Sequence, residues 1–211
     1  MNGKVCNMMK KYFLFLMALI PMVANADAVE VDGIYYDLDA RSLTASVTNN
    51  PDNYSGSLAI PESFEYDGAT YKVTSIGWGA FDNSTELTYL SISNTITYVS
   101  SIPRLGLKEL HLDDGTERIT WSSSTSKSKD LESIYIGRNL EFFHYEPSPF
   151  ESLESLSSVI IGDSVSIIGQ RLFYDCQKLS SINIPNSIKT IGEYNQEIKG
   201  ETNVEIIPVI A

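Results

Sequence analysis

Five stretches of the chain repeat one spacing of aliphatic and polar residues. Each begins with a leucine and carries aliphatic residues three and five positions later; the leucines are Leu87, Leu107, Leu131, Leu156 and Leu179. Successive leucines lie 20, 24, 25 and 23 residues apart. Because alternate residues of a strand point to opposite faces, the end of each stretch predicts a short strand with one buried face. A spacing that recurs five times predicts a repeat architecture.

Two further patterns complete the repeat. A second apolar pair follows most of the strands: Ile96 and Val99, Ile119 and Trp121, Val165 and Ile168, or Ile188 and Ile191. Three of the leucines are preceded, six residues earlier, by Phe81, Phe150 or Phe173, with a small or apolar residue midway. That spacing places the three side chains on one face of a 3₁₀ or helical turn. One unit buries too few side chains to offset its backbone entropy, so the units are expected to stack.

Two hairpins are predicted at the start of the array. Residues 34–47 alternate apolar and polar side chains on either side of a polar turn, and this hairpin is expected to cap the open end of the repeats. A second segment, near residues 62–73, turns at Asp67 and Gly68, a dipeptide favoured in tight hairpin turns. It is expected to form an insertion within the first repeat.

The first 26 residues carry an export pattern. Three lysines precede an apolar run at residues 12–23, which is too short to span a bilayer and is interrupted by Pro21. Small residues then end at Ala26, so a signal peptidase is expected to cleave between Ala26 and Asp27. The predicted organisation is a signal peptide at 1–26, a β-hairpin cap at 27–57, about six repeats at 58–192, and a C-terminal tail or degenerate cap at 193–211.

Charge and cysteine content limit the class of partner. The chain has 15 Lys and Arg against 27 Asp and Glu, a net charge of −12, and cleavage would remove three lysines and no acids to leave 12 − 27 = −15. This charge repels nucleic-acid phosphates, so no nucleic-acid partner is predicted. Cys176 alone would remain after cleavage, and Ser84 and Leu153 occupy its position in other units, which indicates a packing role.

The repeat resembles a known family. The pattern L-x-x-I-x-I-P-x-S-[VI]-x-x-I-G-x-x-x-F-x-x-C is similar to the BspA-type leucine-rich repeats of secreted bacterial proteins, and residues 179–192 match nearly every fixed position. The units at Leu107 and Leu131 lack the Ile-Gly-x-x-x-Phe element. The resemblance implies a β-rich leucine-rich repeat solenoid of short parallel strands joined by 3₁₀ or short helical turns. It also implies a secreted or cell-surface protein that adheres to host matrix proteins or cells, with the periplasm as an alternative location.

Catalytic chemistry finds little support in the sequence. The chain has no His-Glu-x-x-His, Gly-x-Ser-x-Gly, phosphate-loop or Cys-x-x-Cys motif. We therefore predict no enzyme activity, no cofactor, no metal site and no membrane span in the mature chain. His111 stands between Glu109 and Asp113 on one strand face, so a hydrolase that uses these three residues remains an open alternative.

The outward positions of the strands predict a binding face. They form two columns: Tyr89, Glu109, Ser133, Ser158 and Ser181, then Ser91, His111, Tyr135, Ile160 and Asn183. Tyr89, His111, Tyr135 and Ile160 are expected to form one continuous band. Aromatic side chains among hydroxyls and amides suit both the hot spots of protein interfaces and the stacking of sugars. A third explanation is that these aromatic residues are present only because they favour strand structure. The predicted concave binding face is Tyr89, Ser91, Glu109, His111, Asp113, Tyr135, Ile160 and Asn183, for a protein partner or, alternatively, a glycan.

Overall fold

A computed structural model describes residues 28–122, 128–142, 148–192 and the backbone of 205–208. The predicted signal peptide at 1–26, its cleavage site at Ala26 and Asp27, and most of the predicted tail at 193–211 lie outside these residues. The described part consists of β-strands and turns, and it contains no helix. Accordingly, none of its elements is a helix long and apolar enough to cross a membrane.

One parallel sheet contains a strand from every repeat. Its strands, in spatial order, are β4 (Ser55–Ile60), β7 (Glu86–Ile92), β9 (Glu109–Leu112), β11 (Ser133–Ile136), β13 (Ser158–Ile161), β15 (Ser181–Ile184) and β17 (Glu205–Pro208). Neighbouring strands pair in parallel throughout. This seven-stranded sheet confirms the predicted solenoid of short parallel strands, including the units at Leu107 and Leu131. The last strand, β17, pairs with β15 as a further repeat would.

The second apolar pair of each unit forms a second line of strands. An eight-stranded sheet contains β1 (Val29–Val31), β2 (Ile34–Asp39), β3 (Thr44–Val47), β5 (Ser63–Tyr66), β6 (Ala69–Ile76), β8 (Tyr98–Val99), β10 (Ile119–Trp121) and β12 (Leu140–Glu141). A two-stranded sheet follows with β14 (Ile167–Ile168) and β16 (Thr190–Ile191). Between them, Asn139 Oδ1 accepts hydrogen bonds from the backbone N–H groups of Ser166 and Ile167, at 2.9 Å each. A side-chain amide therefore replaces the ladder where the sheet divides.

Antiparallel strands cover the N-terminal edge of the second sheet. β2 pairs antiparallel with β3, as the alternation in residues 34–47 predicted, and β3 then pairs in parallel with β6. β5 and β6 form the second hairpin. Its turn residues Asp67 and Gly68 have φ of 48° and 74°, the two positive values that a type I′ turn requires.

The core is the interior of the coil. Aliphatic residues of both strand lines point inward and are buried, as the alternation of buried and exposed positions along β9, β11 and β13 shows. The predicted Phe turns are single turns with i→i+3 backbone bonds, such as Cys176 N to Phe173 O at 3.3 Å. Their phenylalanines lie inside, and Phe150 packs between Trp121 and Phe173 with ring centroids 5.4 and 6.2 Å away.

Candidate binding face

The strand register confirms the composition of the two outward columns from β7 to β13. Tyr89 pairs with Glu109, and Glu109 with Ser133, in the first column. Ser91, His111, Tyr135, Ile160 and Asn183 follow one another in the second column. The expected single band is wrong in one member, because Tyr89 lies two residues along β7 from Ser91 and so belongs to the first column. The second column is therefore the continuous row of side chains.

Two aromatic rings of the second column stack on each other. The imidazole of His111 and the phenol ring of Tyr135 have centroids 4.4 Å apart and planes only 7° from parallel. That separation is close to the spacing of neighbouring strands, about 4.7 to 4.9 Å, so the rings stand side by side along the solenoid. Both residues are half-buried. The pair consequently presents ring edges to solvent, while each ring covers one face of the other.

Aspartates hold the polar ends of both rings. His111 Nε2 lies 3.4 Å from Asp113 Oδ1, which also accepts a hydrogen bond of 3.2 Å from the Ser91 hydroxyl. The Tyr135 hydroxyl lies 3.0 Å from each carboxylate oxygen of Asp114, to which it donates. Burial, this hydrogen bond and the nearby charges of Asp114, Asp163 and Asp113 raise the pKa of the Tyr135 phenol. The phenol therefore stays protonated as a donor at neutral pH.

Glycines directly after two strands make this arrangement possible. A Cβ on Gly162 would stand 2.7 Å from both the Tyr135 hydroxyl and Asp114 Oδ1. A Cβ on Gly137 would stand 2.5 Å from Asp114 N and 2.6 Å from Leu112 O. These distances are shorter than real carbon contacts, so larger residues at either position would displace the Tyr135 and Asp114 groups or the backbone beneath them. The sequence carries a signal for this site, since Gly137 and Gly162 each directly follow the isoleucine that ends a strand.

A buried arginine lies beneath this edge of the sheet. The Arg138 side chain is 0% exposed, and it donates hydrogen bonds to the backbone oxygens of Ser93 at 2.6 Å and Asn94 at 2.5 Å. To reach them it passes Gly115, where an added Cβ would lie 3.3 Å from Arg138 Cδ. Desolvation lowers the pKa of Arg138 to about 10, against the opposing charge of Asp113. The guanidinium thus connects the coil of β11 to the coil of β7, two repeats earlier, from inside.

The other residues of the predicted face have simpler surroundings. Ile160 is 57% exposed, an uncommon fraction for a strand isoleucine, and Asn183 is exposed. Tyr89 is half-buried in the first column. Among the described residues, exposed Glu109 makes no hydrogen bond or ion pair with His111 or Asp113, so only two members of the possible hydrolytic set are in contact. The described residues also contain no group of three or more His, Cys, Asp or Glu side chains suited to a metal ion.

Two surface cavities lie away from the second column. One of about 520 Å³ is lined by residues 81–85 together with Arg104, Leu105 and Lys129. The other, of about 320 Å³, lies between the N-terminal strands and β4 and includes Val31 and Leu58. Neither contains His111 or Tyr135, so neither of these two cavities belongs to the second column.

Family comparison decides the class of protein. The model described as BspA type leucine rich repeat region (6 copies) matches residues 62–147 and 144–206. The chain belongs to the BspA-type leucine-rich repeat family. The repeat spacing accounts for the regular register of the two columns in this BspA-type chain. A search of curated proteins finds no match to the sequence.

Several solved structures are similar to this BspA-type chain at low identity. A leucine rich cell surface protein from Faecalibacterium prausnitzii A2-165 is 20% identical, with a TM-score of 0.40, over 80% of this chain and 51% of that one. The pneumococcal vaccine antigen PcpA is 14% identical, with a TM-score of 0.46, over 85% of this chain and 48% of that one. A leucine rich repeat protein from T. pallidum is 14% identical, with a TM-score of 0.43, over 87% of this chain and 100% of that one. The chain spans about half the length of the first two proteins.

Proposed function

We propose that this chain is an exported, non-enzymatic protein that binds a macromolecular partner through the second column of the seven-stranded sheet, and that this binding serves adhesion to host matrix. The observation that carries the proposal is the fixed pair of rings, His111 and Tyr135. Family membership supports an interaction role, and the export pattern in residues 1–26 supports a secreted or cell-surface location. The partner is a protein.

The surroundings of the rings favour binding over simple surface coverage. The polar ends of both rings contact aspartates, so their side-chain rotations are already restricted before a partner arrives. Because binding costs about 0.5 to 1.5 kcal/mol for each side chain that it immobilises, fixed aromatic anchors bind with a smaller loss of entropy. Ile160 continues the row as an exposed aliphatic side chain. Aromatic residues beside an aliphatic one are typical of the centre of a protein interface.

The orientation of the rings favours a protein over a glycan. Sugars stack on the open face of an aromatic ring, but His111 covers a face of Tyr135, and the pair offers its edges. Among the described aromatic side chains the most exposed is Trp78, which is 79% exposed and lies in a turn after β6, outside the second column. Trp78 is therefore the first residue to test for glycan binding, and its position outside the second column makes the two candidates separable.

The test combines partner capture with matched variants. Purified chain is applied to immobilised host matrix proteins, to a mucus fraction and to a glycan array. The triple variant His111→Ala, Tyr135→Ala and Ile160→Ala should keep a cooperative melting transition and bind the captured matrix protein at least about 30-fold more weakly, since a hot spot is worth about 2 kcal/mol or more.

Two control variants distinguish the proposed binding face from the glycan alternative. Tyr98→Ala removes a tyrosine that is 44% exposed on the second sheet, and it should leave binding unchanged. Trp78→Ala should also bind the matrix protein normally. Wild-type affinity in the triple variant would refute the proposed face, and glycan binding that is lost only in Trp78→Ala would replace the proposal with the glycan alternative.

A further inference from the structure

The edge of the sheet beside the two rings is acidic, and the basic residue in this row, Arg138, is buried. The second residue after β9, β11 and β13 is Asp114, Arg138 and Asp163, an order in which arginine stands between two acids. Asp114 and Asp163 are exposed, whereas Arg138 is 0% exposed and binds backbone oxygens inside the coil. Arg138 therefore does not neutralise these two acids at the surface.

Ion pairs elsewhere leave these carboxylates available. The described residues pair Lys108 with Glu132 at 2.9 Å and Arg171 with Glu151 at 3.6 Å. Within that part of the chain, no lysine or arginine lies within 4.0 Å of Asp113, Asp114 or Asp163. A partner cation can consequently approach Asp114 and Asp163 without first displacing any lysine or arginine that the structure describes.

An apolar surface adjoins these carboxylates. Ile160 is 57% exposed on β13 and follows Tyr135 in register, while Asp163 comes three residues after Ile160. Asp114 reaches the same place from two coils earlier, because its Oδ1 would lie 2.7 Å from a Cβ on Gly162. Arginine and lysine have long apolar stems that pack on such surfaces while their charged heads remain hydrated or paired.

We infer that the partner of the second column is a basic protein segment, whose arginine or lysine head binds Asp114 and Asp163 while its stem packs on Ile160 and the edge of Tyr135. The inference rests on the proposed function and names the chemistry of the partner. Charge complementarity supports it at long range as well, because a chain of net charge −12 attracts cationic segments and repels acidic ones. Arginine suits the site better than lysine, since its planar head can bind two carboxylates at once.

A pair of peptides tests the charge requirement directly. The probes are an eight-residue Arg-Ser repeat peptide and the same peptide with citrulline, a neutral isostere, in place of arginine, measured by fluorescence anisotropy in 50 and 300 mM salt. We expect the arginine peptide to bind at least tenfold more tightly than the citrulline peptide at low salt, and this preference should shrink at high salt. Equal affinity for the two peptides would overturn the inference.

Charge-matched variants then locate the contact. Asp114→Asn with Asp163→Asn removes two charges but keeps an oxygen that can accept the Tyr135 hydrogen, so the ring pair remains supported. The control is Asp52→Asn with Asp82→Asn, two exposed aspartates outside the second column that give the same change in net charge. The first double variant should bind the arginine peptide at least tenfold more weakly, and the control should bind within twofold of wild type. Equal losses in both would show a general charge effect and overturn the inference.

The same variants separate this inference from the proposed function. The captured matrix protein is measured against the Asp114→Asn, Asp163→Asn variant and against the triple alanine variant. Weaker binding by both supports both conclusions. Binding that is lost only in the alanine variant would overturn the basic partner and leave the binding face intact, whereas binding retained by the alanine variant would refute the face itself.

Discussion

Replacing Phe173 with alanine tests how the coil is held together. The ring is 1% exposed, and it stacks on Phe150 with centroids 6.2 Å apart and planes 9° from parallel. Removing it forfeits about 1.5 to 3 kcal/mol of transfer free energy, and about 0.5 to 1.5 kcal/mol of ring pairing. The cavity left between stacked coils brings the expected loss to about 3 to 5 kcal/mol of unfolding free energy.

The matched control lies in the same turn. Cys176 is fully buried, and its thiol donates to the backbone oxygen of Phe150 at 3.0 Å. A serine hydroxyl can donate the same bond, and Ser84 already occupies the equivalent position, where it is 3% exposed and accepts a hydrogen bond of 3.1 Å from Tyr54 N. Cys176→Ser should therefore cost about 1 kcal/mol.

Urea unfolding followed by far-ultraviolet circular dichroism measures both variants. The midpoint should fall sharply for Phe173→Ala and slightly for Cys176→Ser, with Phe173→Leu between them because leucine fills part of the cavity. If the serine variant lost more stability than the alanine variant, the assignment of the turn's inward positions would be refuted.

Three further predictions concern the Tyr135 hydrogen bond, the alkaline stability and the export of the chain. Gly162→Ala should break the hydrogen bond between Tyr135 and Asp114 and lower the free energy of unfolding in urea by about 1 kcal/mol. Tyr135→Phe removes the same hydrogen bond and should have the same effect. A loss above about 3 kcal/mol in Gly162→Ala would mean that the backbone itself requires glycine. Burial raises the pKa of Tyr54 from 10.0 to about 12, so the unfolded chain loses this proton first and stability should fall by about 1.4 kcal/mol per pH unit between these values. Arg138, with a pKa lowered to about 10, changes the stability in the opposite direction as the pH rises, so the wild-type slope alone does not report Tyr54. The measurement is therefore a comparison: the stability of Tyr54→Phe should fall less steeply at alkaline pH than that of wild type. Protein recovered outside the cytoplasm should begin at Asp27, and an intact Met1 chain in the membrane fraction would contradict the export prediction.

The fold was largely predictable because the repeat spacing fixes both the position of each strand and the face to which each side chain points. Alternation in each stretch assigns every second side chain to the interior, and constant spacing then aligns Ser91, His111, Tyr135 and Ile160 across strands. The turn at Asp67 likewise followed from local backbone preference, which depends on no distant contact.

The inward direction of the Arg138 side chain was not predictable from the repeat spacing. Its position suggests a surface partner for Asp114, but the side chain turns inward because the missing Cβ of Gly115 leaves it a path to the oxygens of Ser93 and Asn94. The bond between Tyr135 and Asp114 depends in turn on the space above Gly162. Such contacts join residues of different coils, and the spacing within one repeat does not specify them.

Hydrogen exchange of the complex with a captured matrix protein tests the central claim most directly. Backbone amides of β9, β11 and β13 should gain protection when the matrix protein binds, since the second column crosses these strands. The same strands should show no added protection in the triple variant of His111, Tyr135 and Ile160. Protection confined to the second sheet, or to the turn that carries Trp78, would contradict the claim that the second column is the binding face.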